Sequence, residues 1–309
     1  MQPFRTFLLT LAAACLAFAA DPALLRMVPP DAAFIAGIHA DQVKTSRFGQ
    51  FLLDQLKSEE ASMNKFISAT GFDPRRDVAE LIVASTDVRG KRQGKTLVIA
   101  RGRFDAARIQ SFARLEGSAT MTYQGISIWT KGHDEAHSFA ILDESTAVAG
   151  DTGSLKFAVD HRDGATALDA KLVTKITDLS LRYDAWMVSA TLDRLADDIA
   201  SPQLEGAMQG NLFKAMDSVV GGVRFGANIE VMAEAQMRSE KDASSLVDVV
   251  RFLGGMLQMN SGNNDPRSTE LMSLIEKMDL KATGNQFRMS LMIPEDMIEK
   301  LVKPASKKI

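Results

Sequence analysis

The sequence predicts an α+β fold: two related halves, each an antiparallel sheet with helices packed on one face. Three observations lead there. Strand-like runs are joined by tight turns, and tight turns produce antiparallel pairing. Helical stripes follow strand pairs instead of alternating strictly with single strands, which argues against a parallel doubly wound sheet. Finally, the plan of Leu81 to Leu115 returns at Val219 to Leu253 as strand, turn, strand, polar corner and helix. The helix entries match most closely, Asp105-Ala106, Ile109 and Phe112 corresponding to Asp242-Ala243, Leu246 and Val249.

The chain opens with basic Arg5, an apolar run from Phe7 to Phe18, and Ala17 and Ala19 in an A-x-A arrangement before Asp21. This is the pattern of a secretory signal peptide over residues 1–20, with cleavage near Ala19-Ala20. The one cysteine, Cys15, lies inside it, and lipidation there is the less favoured alternative because Ala12-Ala13-Ala14 lacks the usual leucine. The mature chain then has neither disulfide nor thiolate chemistry and must be held by packing. A 46% hydrophobic and 24% charged composition suits an ordinary globular protein with a sizeable core. The formal charge of -3 mixes both signs and gives no sign of a nucleic-acid partner. Beyond the leader no apolar run approaches the ~20 residues of a membrane-spanning helix. The expected location is periplasmic or secreted.

In the first half, residues 21–165, Phe34 to Ile38 is apolar on both faces and reads as a central strand. Ser46 caps a helix carrying Phe48, Phe51, Leu52 and Leu56, extended or followed by Met63, Phe66 and Ile67, and Gly71 ends it. Asp73-Pro74 starts a short turn through Asp77. Strands at Leu81 to Ser85 and Thr96 to Ala100 flank a basic tip, and the helix from Asp105 follows. Gln124-Gly125 joins two strands, Asp143-Glu144-Ser145 joins Phe139–Leu142 to Thr146–Ala149, and a helix over Ser154 to Val159 closes the half.

The second half, residues 166–303, begins with a helix at Ala170 to Leu181. Asp184-Ala185-Trp186 repeats the entry Asp31-Ala32-Ala33-Phe34 into a first strand that runs to Leu192. The alternation of Ile229, Val231, Ala233, Ala235 and Met237 with polar residues gives a strand with one wet face. The helix after Asp242 buries a stripe through Leu246, Val250 and Leu253. Asp265-Pro266 starts another helix, Gly284-Asn285 joins two strands, and Pro294 opens a last helix before a loose tail at residues 304–309.

One cluster looks like a site. His133 and His137, in His133-Asp134-Glu135-Ala136-His137, are the candidate metal ligands, but the zinc-protease pattern needs glutamate directly after the first histidine. Between strands the segment reads as a solvated polar turn. Asp151-Thr152-Gly153 resembles the D-T-G of aspartic proteases, yet no second copy exists to share a proton, so Asp151 reads as a helix cap. Ser62 and Lys65 have S-x-x-K spacing without its companion motifs. Gly221-Gly222 and Gly254-Gly255 read as close packing or a helix end, and His39 and His161 have no evident partners. No cofactor motif is present. Eleven of the 16 methionines fall between Met208 and Met297, a density that an adaptable apolar groove in the second half would explain, but most, including Met256, Met278 and Met289, lie on the apolar stripe of a helix or strand, which favours core filling.

Val28-Pro29-Pro30-Asp31-Ala32 before the Phe34 strand, the helix after Ser46, and Gly71-Phe72-Asp73-Pro74-Arg75-Arg76-Asp77 together resemble an uncharacterised family of exported bacterial proteins with duplicated α+β halves. The second half departs from this, with Leu212-Phe213-Lys214-Ala215-Met216-Asp217 in the place of the Phe-Asp-Pro pattern. The resemblance implies a secreted, periplasmic bacterial protein and supplies no site residues. The expectation is a non-catalytic protein that binds a partner protein or an apolar ligand through sheet faces or the groove between its halves. The alternatives are a hydrolase or metal-dependent enzyme using the His133–His137 loop and Asp151, and an assembly factor with no small ligand.

Overall fold

A computed structural model describes residues 19–55, 60–86, 94–132, 134–189, 215–260, 273–294 and 297. Among them one antiparallel sheet of twelve strands carries the fold. In chain order the strands are β1 (Phe34–His39), β2 (Val78–Ser85), β3 (Thr96–Gly102), β4 (Ala119–Tyr123), β5 (Ile126–Lys131), β6 (Asp134–Asp143), β7 (Thr146–Gly150), β8 (Ala185–Ser189), β9 (Met216–Arg224), β10 (Asn228–Met237), β11 (Asp279–Thr283) and β12 (Gln286–Pro294). Their spatial order is β11-β12-β10-β9-β8-β1-β2-β3-β7-β6-β5-β4. The helices are α1 (Pro22–Arg26), α2 (Ala40–Thr45), α3 (Arg47–Gln55), α4 (Glu60–Thr70), α5 (Pro74–Asp77), α6 (Ala106–Leu115), α7 (Thr152–His161), α8 (Ala170–Arg182) and α9 (Glu240–Asn260). The α+β, antiparallel class expected from the sequence is the one observed.

Local chemistry sets many of these boundaries. Gly71 ends α4 at φ 75°, a left-handed conformation that costs glycine little. Asp73 caps α5 by accepting from the Arg75 amide at 3.0 Å, with Pro74 at the first helical position. Gln124 and Gly125 both take positive φ, the geometry of a tight two-residue hairpin between β4 and β5. Asp105 and Asp151 cap α6 and α7 through the Arg108 and Ser154 amides. Two short helices, α1 and α2, lie where the sequence offered no periodic signal.

The longest line of the main core is a row of register partners crossing the sheet. From β10 to β5 it reads Met232, Gly222, Trp186, Gly37, Ile82, Ile99, Val148, Ala140 and Ile128. Leu24 and Leu25 of α1, Leu155 and Ala158 of α7, and Ile176 and Leu179 of α8 cover that face. Adjacent strand residues point the other way, so Ile141 and Ala100 meet Ile109 of α6 while Ala235 and Phe287 meet Leu246 of α9. Helices therefore lie on both faces of the sheet, not on one as the sequence pattern predicts. The reason is alternation: half-wet strands in sequence are strands whose second face is covered locally by a single helix.

β1 and β8, the first strands of residues 21–165 and 166–303, pair with each other. Phe34 lies opposite Ser189 and Gly37 opposite Trp186, so if Trp186 is the counterpart of Phe34, Ser189 is the counterpart of Gly37. Gly37 also pairs with Ile82, and Ser189 with Val219. Ile82 and Val219 are then related by the same sequence separation as Asp105 and Asp242. Outward from this pair the two sides of the sheet diverge: beyond β3 lie two hairpins, β4-β5 and β6-β7, where β11-β12 lies beyond β10 on the other side.

Some boundaries differ from expectation. β6 begins at Asp134, five residues ahead of the apolar run, because Asp134 pairs with Lys131 and the ladder holds polar residues that propensity alone would leave in a turn. Pro294 ends β12. The expected last helix apart from Met297, the tail, most of the Asp265-Pro266 helix and residues 190–192 lie outside the described residues.

A Cβ at Gly37 would stand 2.3 Å from the Trp186 ring, whereas one at Gly255 meets nothing within 4 Å. Gly37→Ala is expected to lower stability by about 1–3 kcal/mol through overpacking, and Gly255→Ala, within α9, to leave it unchanged or raise it. Urea denaturation midpoints of the two variants check both.

Candidate functional site

An apolar cavity lies on the α6 side of the sheet, between α4, α6, β3, β6 and β7. Small residues create it: Val98 pairs with Ala149 and Ala100 with Ala147 across β3 and β7, so the sheet floor under α6 is low. Phenylalanines wall it. Phe66 of α4 meets Phe112 of α6 edge to face at 5.3 Å and Phe72 at 6.0 Å, and Phe72 stacks on Phe104 at 5.1 Å. The cavity measures about 380 Å³ and its lining is overwhelmingly apolar, with Phe139 and Ile141 of β6 completing it. Glu116, at the end of α6, lines it beside a 2.8 Å ion pair to Lys65 of α4. A preformed apolar cleft of this size, with few polar groups at its edge, is the usual form of a site for the hydrophobic part of a small ligand.

Phe72 and Phe104 also form one wall of a broader polar groove of about 810 Å³, which includes Arg76, Arg103, Arg108 and Asp77. Asp77 organises it, accepting from Arg76 Nε at 2.8 Å, from Arg103 Nη2 at 3.3 Å and from the Asp73 amide at 2.9 Å. The hydrogen bonds from Arg76, helped by the Asp73 amide, hold its carboxyl down at about 2.

On the opposite face, one row beyond the apolar core, a second set of register partners is polar: His39, Glu80, Arg101 and Thr146. His39 and Glu80 are only 5% and 8% exposed and line neither cavity. Burial pushes Glu80 up to about 7 and His39 below its ordinary value. His39 Nε2 lies 3.2 Å from the Ser180 carbonyl, the partner that the sequence did not reveal.

The residues singled out from sequence mostly serve geometry. His137 is exposed on β6, in extended backbone where the helical four-residue spacing has no meaning, and His133 lies outside the described residues. Among the described residues no group of three or more His, Cys, Asp or Glu is placed to hold a metal. Since Ser138 pairs with Gly150, His137 sits at the strand end near Asp151. The Asp151 carboxylate, however, accepts from the Ser154 amide at 2.9 Å, the Ser154 hydroxyl at 2.6 Å and the Thr96 amide at 3.0 Å. Those bonds make it a cap tying α7 to β3. His161 stacks on Phe157 at 3.9 Å, and Lys65 is the partner of Glu116. A Cβ at Gly222 would meet the Tyr183 ring at 2.4 Å and one at Gly254 would meet Ile275 at 2.6 Å, so one glycine of each pair is there for close approach.

Sequence reasoning missed the phenylalanine cavity because its walls come from α4, α6 and β6, far apart in the chain. The available signal was the pair Phe66 and Phe72 around Gly71, together with Ala100 in β3 and alanines at alternate positions of β7, Ala147 and Ala149.

No family model matches this sequence, and no curated protein matches it. Among solved structures, crystal form I of TP0453 aligns over 91% of this chain and 96% of its own, at 11% identity and a TM-score of 0.47. No helix among the described residues is long and apolar enough to cross a membrane.

Asp77 binds its proton less readily in the folded chain, about 2 against an ordinary 3.8. Its contribution to stability is therefore complete above pH ~4 and is lost as pH falls through ~2. Asp77→Asn is expected to lower the urea midpoint at pH 6 while reducing the further drop between pH 4 and pH 2, which paired denaturation curves at those pH values will check.

Proposed function

We propose that this chain is an exported, non-catalytic binding protein of the bacterial cell envelope that receives the apolar part of a small ligand between α4, α6 and the sheet. The observation carrying the reading is the phenylalanine-walled cavity, whose alanine floor leaves room that an ordinary core would fill. Such a cleft leaves apolar surface in contact with water, and a hydrocarbon group seated in it removes that surface from water. The expected Met-rich groove of the second half has less support. Met232 and Met237 are buried in core clusters, and the cavity beside Met278 is smaller, about 310 Å³, and half polar.

The resemblance to exported bacterial proteins and the leader-like start support the envelope location. For the domain organisation we propose descent of residues 21–165 and 166–303 from one unit. Reciprocal pairing of β1 with β8 supports it, as does the common separation of the Ile82–Val219 and Asp105–Asp242 correspondences.

The test fills the cavity from its floor. An environment-sensitive naphthalene dye is expected to bind the mature protein and to be displaced by a medium-chain fatty acid. Ala100→Phe or Ala147→Phe should weaken the dye by about tenfold or more, equivalent to about 1.4 kcal/mol, with the circular dichroism spectrum unchanged. Undiminished binding by both well-folded variants would place any apolar site elsewhere.

A further inference from the structure

Ala20 is 1% exposed, and its backbone nitrogen donates to Ser180 Oγ of α8 at 2.8 Å. Chain starts are ordinarily loose unless something holds them. Here the hold is specific. The next nitrogen, that of Asp21, lies 3.3 Å from Glu80 Oε1. The Asp21 carboxylate caps α1 through the Ala23 amide at 2.8 Å and accepts from Arg101 Nε at 3.0 Å. Arg101 is fixed in turn by Ser145 Oγ at 3.0 Å and Thr146 Oγ1 at 2.7 Å. Leu24, Leu25, Met27 and Val28 then pass directly into the core, none more than 3% exposed. The buried polar row of the sheet thus faces the junction at which the sequence places the end of the leader.

We propose that the mature chain begins at Ala20 and that the α-ammonium group created by leader removal is bound in a site formed by Ser180 Oγ and the Glu80 carboxylate. The inference rests on the leader reading. In the cleavage, a leader peptidase uses water to break the Ala19–Ala20 amide bond. The water oxygen goes to the Ala19 carbonyl carbon, giving a carboxylate on the leader, and protons go to the Ala20 nitrogen, giving –NH₃⁺. The amide has one N–H, given to Ser180; the ammonium has three donors and a positive charge.

The site answers both changes. Ser180 Oγ donates to the Thr177 carbonyl at 3.0 Å, leaving its lone pairs for the incoming N–H. Glu80 is a buried acid whose burial makes ionisation unfavourable while the chain continues upstream, and a cation one residue from its present donor reverses that penalty. The other ionisable groups facing it are Asp21 on α1, His39 on β1 and Arg101 on β3; Arg101 is already engaged by Asp21, and burial disfavours the charged form of His39. Ala20 fits this role better than Asp21 as the first residue, because its side chain is part of the main core cluster. Cleavage then precedes docking, since a peptidase needs the exposed, extended chain that the docked junction does not offer.

The experiment compares four proteins: the chain starting at Ala20, the same chain with Gly-Ser ahead of Ala20, and Glu80→Gln in each. The Ala20 form is expected to melt about 2–4 °C or more above the extended form at pH 7. Glu80→Gln should remove that difference, lowering the Ala20 form and sparing or raising the extended one. In the extended form the Glu80 effect has a defined sign. With its folded value near 7 above an ordinary 4.5, stability is complete below pH ~4.5 and lost as pH rises through ~7, a slope that Glu80→Gln abolishes. Equal melting of the Ala20 and extended forms, or equal effects of Glu80→Gln on both, would overturn the ammonium site. Mass spectrometry of the protein exported by its native cell tests the premise separately: a start other than Ala20 overturns the processing reading.

Discussion

The row of residues from Met232 to Ile128 is the constraint on which the rest of the molecule depends. It requires every strand to keep its register, because a slip of one residue would turn all its members to the opposite face. At the middle stand two glycines either side of Trp186. The indole fills the space that a side chain at Gly37 would occupy, and the Tyr183 ring does the same over Gly222. This packing has a cost, since Trp186 Nε1 is buried with no hydrogen-bond partner among the described residues, a loss of about 1–3 kcal/mol. The apolar area it seals along the β1–β8 seam offsets that cost and turns two sets of strands into one sheet.

The functional features follow from what lies on either side of this row. On one face, the neighbouring row changes from aliphatic to polar at His39, Glu80, Arg101 and Thr146, and Asp21 at the entry to α1 is the residue that meets it. On the other face, alanines at 100, 147 and 149 withdraw from the α6 layer and leave a cavity that aromatic rings surround without filling. Both sites arise where the sheet's side chains fail to satisfy the helix layer above them by themselves, one through charge and one through volume.

The legible parts of the sequence were those governed by neighbours in the chain. Asp73 before Pro74, Gly71 after α4, Gln124-Gly125 and the capping role of Asp151 all follow from hydrogen bonds or φ preferences spanning a few residues. β6 was read too short because its first residues are polar and are held by pairing to β5, information carried by another strand. The placement of helices on both faces has a related cause: the alternation of β10 does not show that the helix which follows it folds back to cover its polar-looking face, Ala235 meeting Leu246.

By itself the sequence determined the α+β class, the antiparallel connections, most element starts and the closeness of packing at glycine, because caps, turns and alternation are properties of adjacent residues. The tertiary structure alone decided that the sheet is continuous through β1 and β8, which helices share a face, where the phenylalanines enclose a space, and that Glu80 meets Asp21 and Ser180 meets Ala20. Those outcomes depend on which distant surfaces complement each other in volume and charge, and no local pattern encodes that.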